Sequence, residues 1–280
     1  MLESLKLGLY QTFILDDNYQ YFIKGLGTTL TVTIFALVLG VILGVIVAVI
    51  RSAYDQQPEK KKGLPLKILN GICKVYLTVI RGTPMMVQLL IMWFIVWASA
   101  RSTDSNMLRC AILAFGINSG AYVAEIFRSG IMSIDKGQME AGRSVGLTYA
   151  ATMRYIIIPQ AFKNVLPALG NELITLVKET SVVTVIGLRD LTKGAMIIQS
   201  KTYQAMVPYL AIAAIYLVIV MFLTWVMGKL ERRLRQSDFD HFLIRILKHR
   251  NHFPSRYLLQ SFRPQYVRYD LQAVQCLCHA

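Results

Sequence analysis

Acidic residues are scarce in this chain. Sixteen Asp and Glu stand against 30 Lys and Arg, for a formal net charge of +14. Histidine is scarcer still: His241, His249, His252 and His279 are the only four, and all follow residue 237. No histidine therefore lies in the long apolar stretches, and no metal-ligand spacing does either, which argues against an intramembrane enzyme. Four cysteines do not make a disulfide framework. Cys73 and Cys110 fall in or beside apolar segments and read as small buried hydrophobes. Cys276-Leu277-Cys278-His279 lacks a second ligand pair, so no metal site is expected. A P-loop is missing as well: Gly228-Lys229 has no upstream glycine at the required spacing, and Leu230 follows the lysine. No cleavable signal peptide is expected, because the first apolar run starts near Ile23, after Asp16 and Asp17, without a basic leader.

Long apolar stretches are what the chain does have. It is 55% hydrophobic over 280 residues, with a mean hydropathy of +0.47, too apolar for an ordinary soluble domain. A helical span needs about 20 mostly apolar residues. Five stretches qualify: Ile23 to Ile50, Ile68 to Ala100, Met107 to Phe127, Tyr155 to Ile186, and Met206 to Met227. The second is interrupted at Arg81-Gly82-Thr83-Pro84, where proline removes a donor and restrains its predecessor. A helix to Ile80, a break, and a span from Met85 are expected. Gly40 and Gly44 form a small-xxx-small pair suited to close helix packing. The fold class read from this pattern is all-α, a polytopic membrane bundle of about five transmembrane helices.

Residues 1–22 read as an amphipathic lead-in, with Leu5, Leu9, Tyr10 and Phe13 on the membrane surface. Residues 23–236 form the transmembrane domain. Residues 237–280 form an atypical tail, expected to be poorly ordered. Gly187 to Tyr203 reads as a loop with a possible short helix. Basic residues concentrate after Arg51, after Arg128 and after Lys229. The positive-inside rule then puts the N-terminus outside and the C-terminus in the cytoplasm. The same distribution explains the net charge without nucleic acid.

One polar segment interrupts the apolar pattern, from Gln138 through Gly146. Asp135 with Gln138 three residues on suggests a capping box, and Gly146 allows a left-handed stop. A second helix is expected from Thr148. Glu140 and Arg143 share a face. On residue chemistry alone this is either a plain solvated helix or a docking element for a soluble partner. Within the third span, Asn118, Tyr122 and Glu125 fall on one helix face. An ionisable group inside a span is a functional candidate. Glu125 either meets the ammonium or cationic side chain of a substrate, or pairs with Arg128 one turn on. Glu172 and Lys178 do not face each other, and structural pairing elsewhere is favoured for both.

Glu140-Ala141-Gly142, then Gly146, then Ile156-x-Ile158-Pro159 resembles the EAA motif of ATP-binding-cassette (ABC) importer permeases. Gly142 stands where that family often has Ala, and Ile158 where it often has Leu. Arg81-Gly82-Thr83-Pro84 with Val87-Gln88, Ala121 through Arg128, and Lys178-Glu179-Thr180-Ser181 resemble signatures of its polar amino-acid branch. The resemblance covers about Tyr21 to Gln236. It implies the type I ABC importer permease fold, with Glu140, Ala141, Gly142, Arg143 and Gly146 in a cytoplasmic ATPase-coupling helix. It also implies Arg81 and Thr83, with Asn118, Tyr122 and Glu125, along a substrate pathway. The implied partners are two ABC ATPase subunits, a second permease subunit, an extracytoplasmic solute-binding protein, a polar amino acid and membrane lipid. ATP-Mg would be hydrolysed by the ATPases; the chain itself would be no enzyme and hold no cofactor. Localisation would be a bacterial inner or plasma membrane. A permease for methionine or an organic anion is the alternative; a channel or scaffold would not need a docking helix.

Overall fold

The computed structural model describes residues 2–56 and 63–249, with side chains at 6–55 and 63–233. The described residues form helices and connecting turns, with no strand among them. One unit runs from residue 1 to residue 231. Most of the tail, 250–280, lies outside the described residues, as do the expectations about Cys276, Cys278, His252 and His279 and about the side chains of His241 and His249.

Helix α1 (Leu2–Phe13) opens the chain. Leu7, Leu9 and Tyr10 are exposed, as a surface helix requires. Phe13 instead turns inward and meets the Phe22 ring at 5.4 Å. A short 3-10 turn, Leu15–Asp17, with Asp16 and Asp17 at positive φ, reverses the chain there. Asn18 then donates its side-chain amide to the Gln11 carbonyl at 2.8 Å.

Helix α2 (Tyr19–Gln56) has 38 residues, about 57 Å at 1.5 Å per residue. It packs along α5 (Asp104–Met132). Gly40 and Gly44 permit that approach. A methyl at Gly40 would stand 2.8 Å from Ser119 Oγ, and one at Gly44 2.6 Å from Val123 Cγ1 and 2.8 Å from the Ala124 nitrogen. The small-residue pair thus sets the central crossing of the fold, through van der Waals contact rather than solvent exclusion.

Helix α3 (Leu64–Gly82) and α4 (Met85–Ile91) are bent by 109° at Thr83-Pro84. A π turn, Met92–Val96, extends α4. Leu89 and Trp93 from this arm join Val32, Phe115 and Leu176 in the main core. Helix α6 (Lys136–Ser144) and α7 (Tyr149–Thr152) follow α5. A second π turn, Met153–Ile157, leads into α8 (Ile158–Glu179), which ends in a 3-10 turn, Thr180–Ile186.

The segment after Gly187 differs from the expectation. It is a full helix, α9 (Leu191–Thr202), with Leu191, Ala195 and Ile198 buried. Those residues pack with Phe22 and Ile212 in a second core. Asp190 caps α9, accepting from the Thr192 and Lys193 amides at 3.1 and 2.8 Å. Burial pushes its carboxyl above the ordinary range, and the amides pull it back down. Helix α10 (Met206–His249) completes the described chain.

Among the described residues, three helical stretches are long and apolar enough to cross a bilayer by themselves: Leu15–Asp55, Asp104–Met132 and Met206–Arg233. The bent α3–α4 pair makes a fourth if taken as one span. Helix α8 has 22 residues, enough to span, but Lys163, Glu172, Lys178 and Glu179 lower its apolarity. Of these, Glu172 accepts a hydrogen bond from Ser119. These charges set α8, in the fourth apolar stretch of the sequence, apart from the more uniformly apolar spans.

Candidate coupling helix and polar interior

Helix α6 begins at Asp135, whose carboxylate accepts from the Gly137 amide at 2.6 Å. The cap satisfies an otherwise orphan amide. Gln138 contributes only its backbone amide, to the Asp135 carbonyl at 3.0 Å, so the cap is one-sided rather than a reciprocal box. Gly146 sits at φ +90°, and its amide donates to the Arg143 carbonyl while Leu147 donates to Gly142. This is the left-handed stop that glycine tolerates best. Thr148 then caps α7 through the Ala151 amide.

Glu140, Ala141, Arg143, Ser144 and Val145 are all exposed on α6 and its end, and Gly142 alone is buried. Val145 is 84% exposed, unusual for a β-branched apolar side chain in a capped, ordered helix end. Gly142 faces α7: a methyl there would stand 2.5 Å from Thr152 Cγ2 and 3.1 Å from Ile156 Cδ1. Thr152 is buried and β-branched, so it has little room to yield. The glycine therefore locks α6 onto the chain that leads into α8. A coupling helix needs this arrangement: one face rigidly attached, the other free.

The interior residues separate into two groups. Asn118 is buried and donates to Gln88 Oε1 at 3.0 Å. Gln88 in turn donates to the Ile80 carbonyl at 2.7 Å, the Thr83 carbonyl at 3.1 Å and Thr83 Oγ1 at 2.8 Å. Asn118 and Thr83 are thus joined through Gln88, and the joint covers backbone carbonyls released by the Pro84 break. Tyr122, Glu125 and Arg81 form the other group. Arg81 lies over the Tyr122 ring at 5.6 Å. Glu125 is surrounded by cations: Arg128 Nε at 3.4 Å, Arg51 Nη1 at 3.8 Å and Arg81 Nη1 at 4.0 Å. Arg128 also meets Asp55 at 2.9 Å. The pairing of Glu125 with Arg128 was legible from spacing; the two further arginines come from α2 and α3, beyond any local pattern.

The bond from Ser119 Oγ to Glu172 Oε1, 2.7 Å, was not legible either. It brings a carboxylate of α8 against the residue next to Asn118. Tyr76 supplies one more cross-link, donating to the Ile117 carbonyl at 2.6 Å. Among the described residues, no group of three or more His, Cys, Asp and Glu could hold a metal ion.

Residues 63–236 match the family described as binding-protein-dependent transport system inner membrane component. That match covers more than half of the chain and includes α3 through the apolar part of α10. The chain belongs to this family. As a family member it is an inner-membrane permease component of an ABC importer, working with ATPase and solute-binding partners. The arginine transport system permease protein ArtQ of Bacillus subtilis is 40% identical over 188 residues, 63% of this chain and 85% of that protein. The glutamine transport system permease protein GlnP of Escherichia coli K12 is 38% identical over 168 residues, 60% and 77% of the two chains. A solved structure described as an amino acid ABC transporter with histidines is 43% identical, with a TM-score of 0.67, covering 77% of this chain and 94% of that one. The permease fold is thus the type I importer fold expected from the motifs.

Proposed function

We propose that this permease carries a polar amino acid across the membrane by alternating access, driven by separate ATPase subunits that dock on α6. The observation carrying this reading is α6 itself, with Gly142 packed on Thr152 and Glu140, Ala141 and Val145 held outward. Closure of an ATPase dimer would push on the free face. The push passes through the Gly142 contact into α7 and α8. The sequence lacks a P-loop, which supports assigning ATP-Mg to the partners. The working assembly is two permease subunits, alike or related, with two ATPases and an extracytoplasmic binding protein. The N-terminus lies outside and α6 in the cytoplasm, on the strength of the basic residues that follow α2, α5 and the apolar part of α10.

The names of the 40% and 38% identical relatives support an amino-acid substrate. Within the interior, Asn118 and Thr83 shape the bend beside the pathway, and Tyr122, Arg81 and Glu125 line an inner pocket. The test is to introduce Val145→Cys and probe for a disulfide cross-link to the co-expressed ATPase, followed by mass spectrometry of partners and bound small molecules. Cys73 and Cys110 are buried, and Cys276 and Cys278 are replaced by serine to remove their background. A cross-link at Val145, and none at a cysteine placed at exposed Ser102 near the start of α5, supports the reading. Cross-linking at Ser102 alone would reverse the orientation.

A further inference from the structure

Helix α3 carries three different faces. Asn70, Cys73 and Leu77 are buried against the bundle. Leu64, Ile68, Ile72, Val75 and Val79 are exposed, and their spacing puts them on one stripe. Between these faces runs a ridge of Lys67, Lys74, Thr78 and Arg81, spaced by one or two turns. On a membrane helix, an exposed apolar stripe faces lipid tails, and lysine and arginine alongside it can reach lipid headgroups.

Lys74, Thr78 and Arg81 of this ridge line a pocket of about 580 Å³ together with Arg51, Tyr122 and Glu125. Three cations of this lining face one carboxylate. Glu125 does not satisfy them fully: Arg51 and Arg81 stand 3.8 and 4.0 Å from its Oε2, beyond hydrogen-bond distance. Arg51 is largely buried, and its Nε is buried with no hydrogen-bond partner. Lys74 is exposed at the mouth. An unpaired buried guanidinium nitrogen is costly, and an anion with several oxygen acceptors answers it.

We propose that this pocket binds the phosphate of an anionic phospholipid of the cytoplasmic leaflet, whose acyl chains lie along the apolar stripe of α3. Charge complementarity favours an anion, and the adjoining stripe favours one that carries hydrocarbon. A free phosphate shares the headgroup chemistry but leaves the stripe uncovered. The assignment to the cytoplasmic leaflet rests on the orientation proposed above; the binding itself does not depend on which solute is carried.

The experiment is native mass spectrometry of the intact importer complex, delipidated and then titrated with phosphatidylglycerol, phosphatidylethanolamine or phosphatidylcholine. Phosphatidylglycerol should be retained in preference to the other two. Lys74→Gln should weaken retention about five-fold, the effect of one basic charge near a lipid surface. Lys74→Arg should restore it. Lys24→Gln, on the opposite end of α2, serves as a control that leaves retention unchanged. Equal retention of the three lipids overturns the proposal, as does indifference to Lys74→Gln. Displacement by millimolar inorganic phosphate with no lipid preference assigns the pocket to a soluble anion and overturns the lipid. Displacement by a polar amino acid overturns it in favour of the substrate route. ATP-driven uptake, measured on the same preparations, reports separately on the proposed transport function.

Discussion

Gln88 illustrates how one side chain decides the geometry of a whole segment. Pro84 frees backbone carbonyls at the end of α3, and the Gln88 amide covers those of Ile80 and Thr83 while Asn118 holds it in place. Gln88→Leu keeps the bulk and leaves buried polar groups unpaired. It should destabilise the permease by about 1–3 kcal/mol, read as a lower melting temperature of the purified complex. A melting temperature equal to wild type would show that water replaces the amide at no cost. Glu125 is a different kind of residue. Its carboxylate stands among Arg51, Arg81 and Arg128, so Glu125→Gln leaves three guanidinium groups facing one another. The expected outcome is weaker assembly with amino-acid affinity kept, measured on the purified complex without the binding protein. If affinity falls about ten-fold or more while assembly is kept, Glu125 contacts substrate instead, as loss of a charge-assisted bond would predict.

At the scale of elements, the caps and stops were readable and the packing was not. Asp135, Gly146 and Thr148 mark the ends of α6 and α7 because their chemistry is local: a carboxylate or hydroxyl for an orphan amide, a glycine for positive φ. Gly40 and Gly44 were readable for the same reason. Helix α9 was read only as a possible short helix within a loop, although Asp190, Leu191, Ala195 and Ile198 carry both a cap and a helical stripe; it lies between two much more apolar spans that dominate the pattern. The Glu125 arginines and the Ser119–Glu172 bond come from helices far apart in sequence, which spacing within one helix does not reveal. Two predictions belong here. Asp190→Ala removes the α9 cap and should cost about 1–2 kcal/mol, with Asp190→Asn costing less; equal losses would mean that charge, not the hydrogen bond, matters. Gly142→Leu should push α6 off Thr152, so that ATPase subunits still bind but no longer drive uptake. Normal coupling in that variant would show that the Gly142 contact does not transmit motion.

At the scale of the molecule, the chain is a bundle built for partners. Its polar helix α6, proposed above as the docking element, its small-residue crossing at α2 and α5, and its sharply bent α3–α4 arm all make sense inside a multi-subunit importer. The compositional break after residue 237 suggests that the importer does not need the tail. A truncation before Asp238 should still insert and bind its ATPase; failure to reach the membrane would move the domain boundary. The central claim is that α6 transmits ATP-driven motion to the spans. The most direct measurement is ATP-dependent amino-acid uptake by the reconstituted complex carrying Gly146→Val, with binding-protein-stimulated ATP hydrolysis recorded alongside. A methyl at Gly146 would meet nothing within 4 Å, and φ is +90°, so the substitution acts through backbone strain of about 1–2 kcal/mol and not through a clash. Uptake and stimulated hydrolysis should both fall while the complex still assembles. Wild-type uptake with wild-type stimulation would contradict the account.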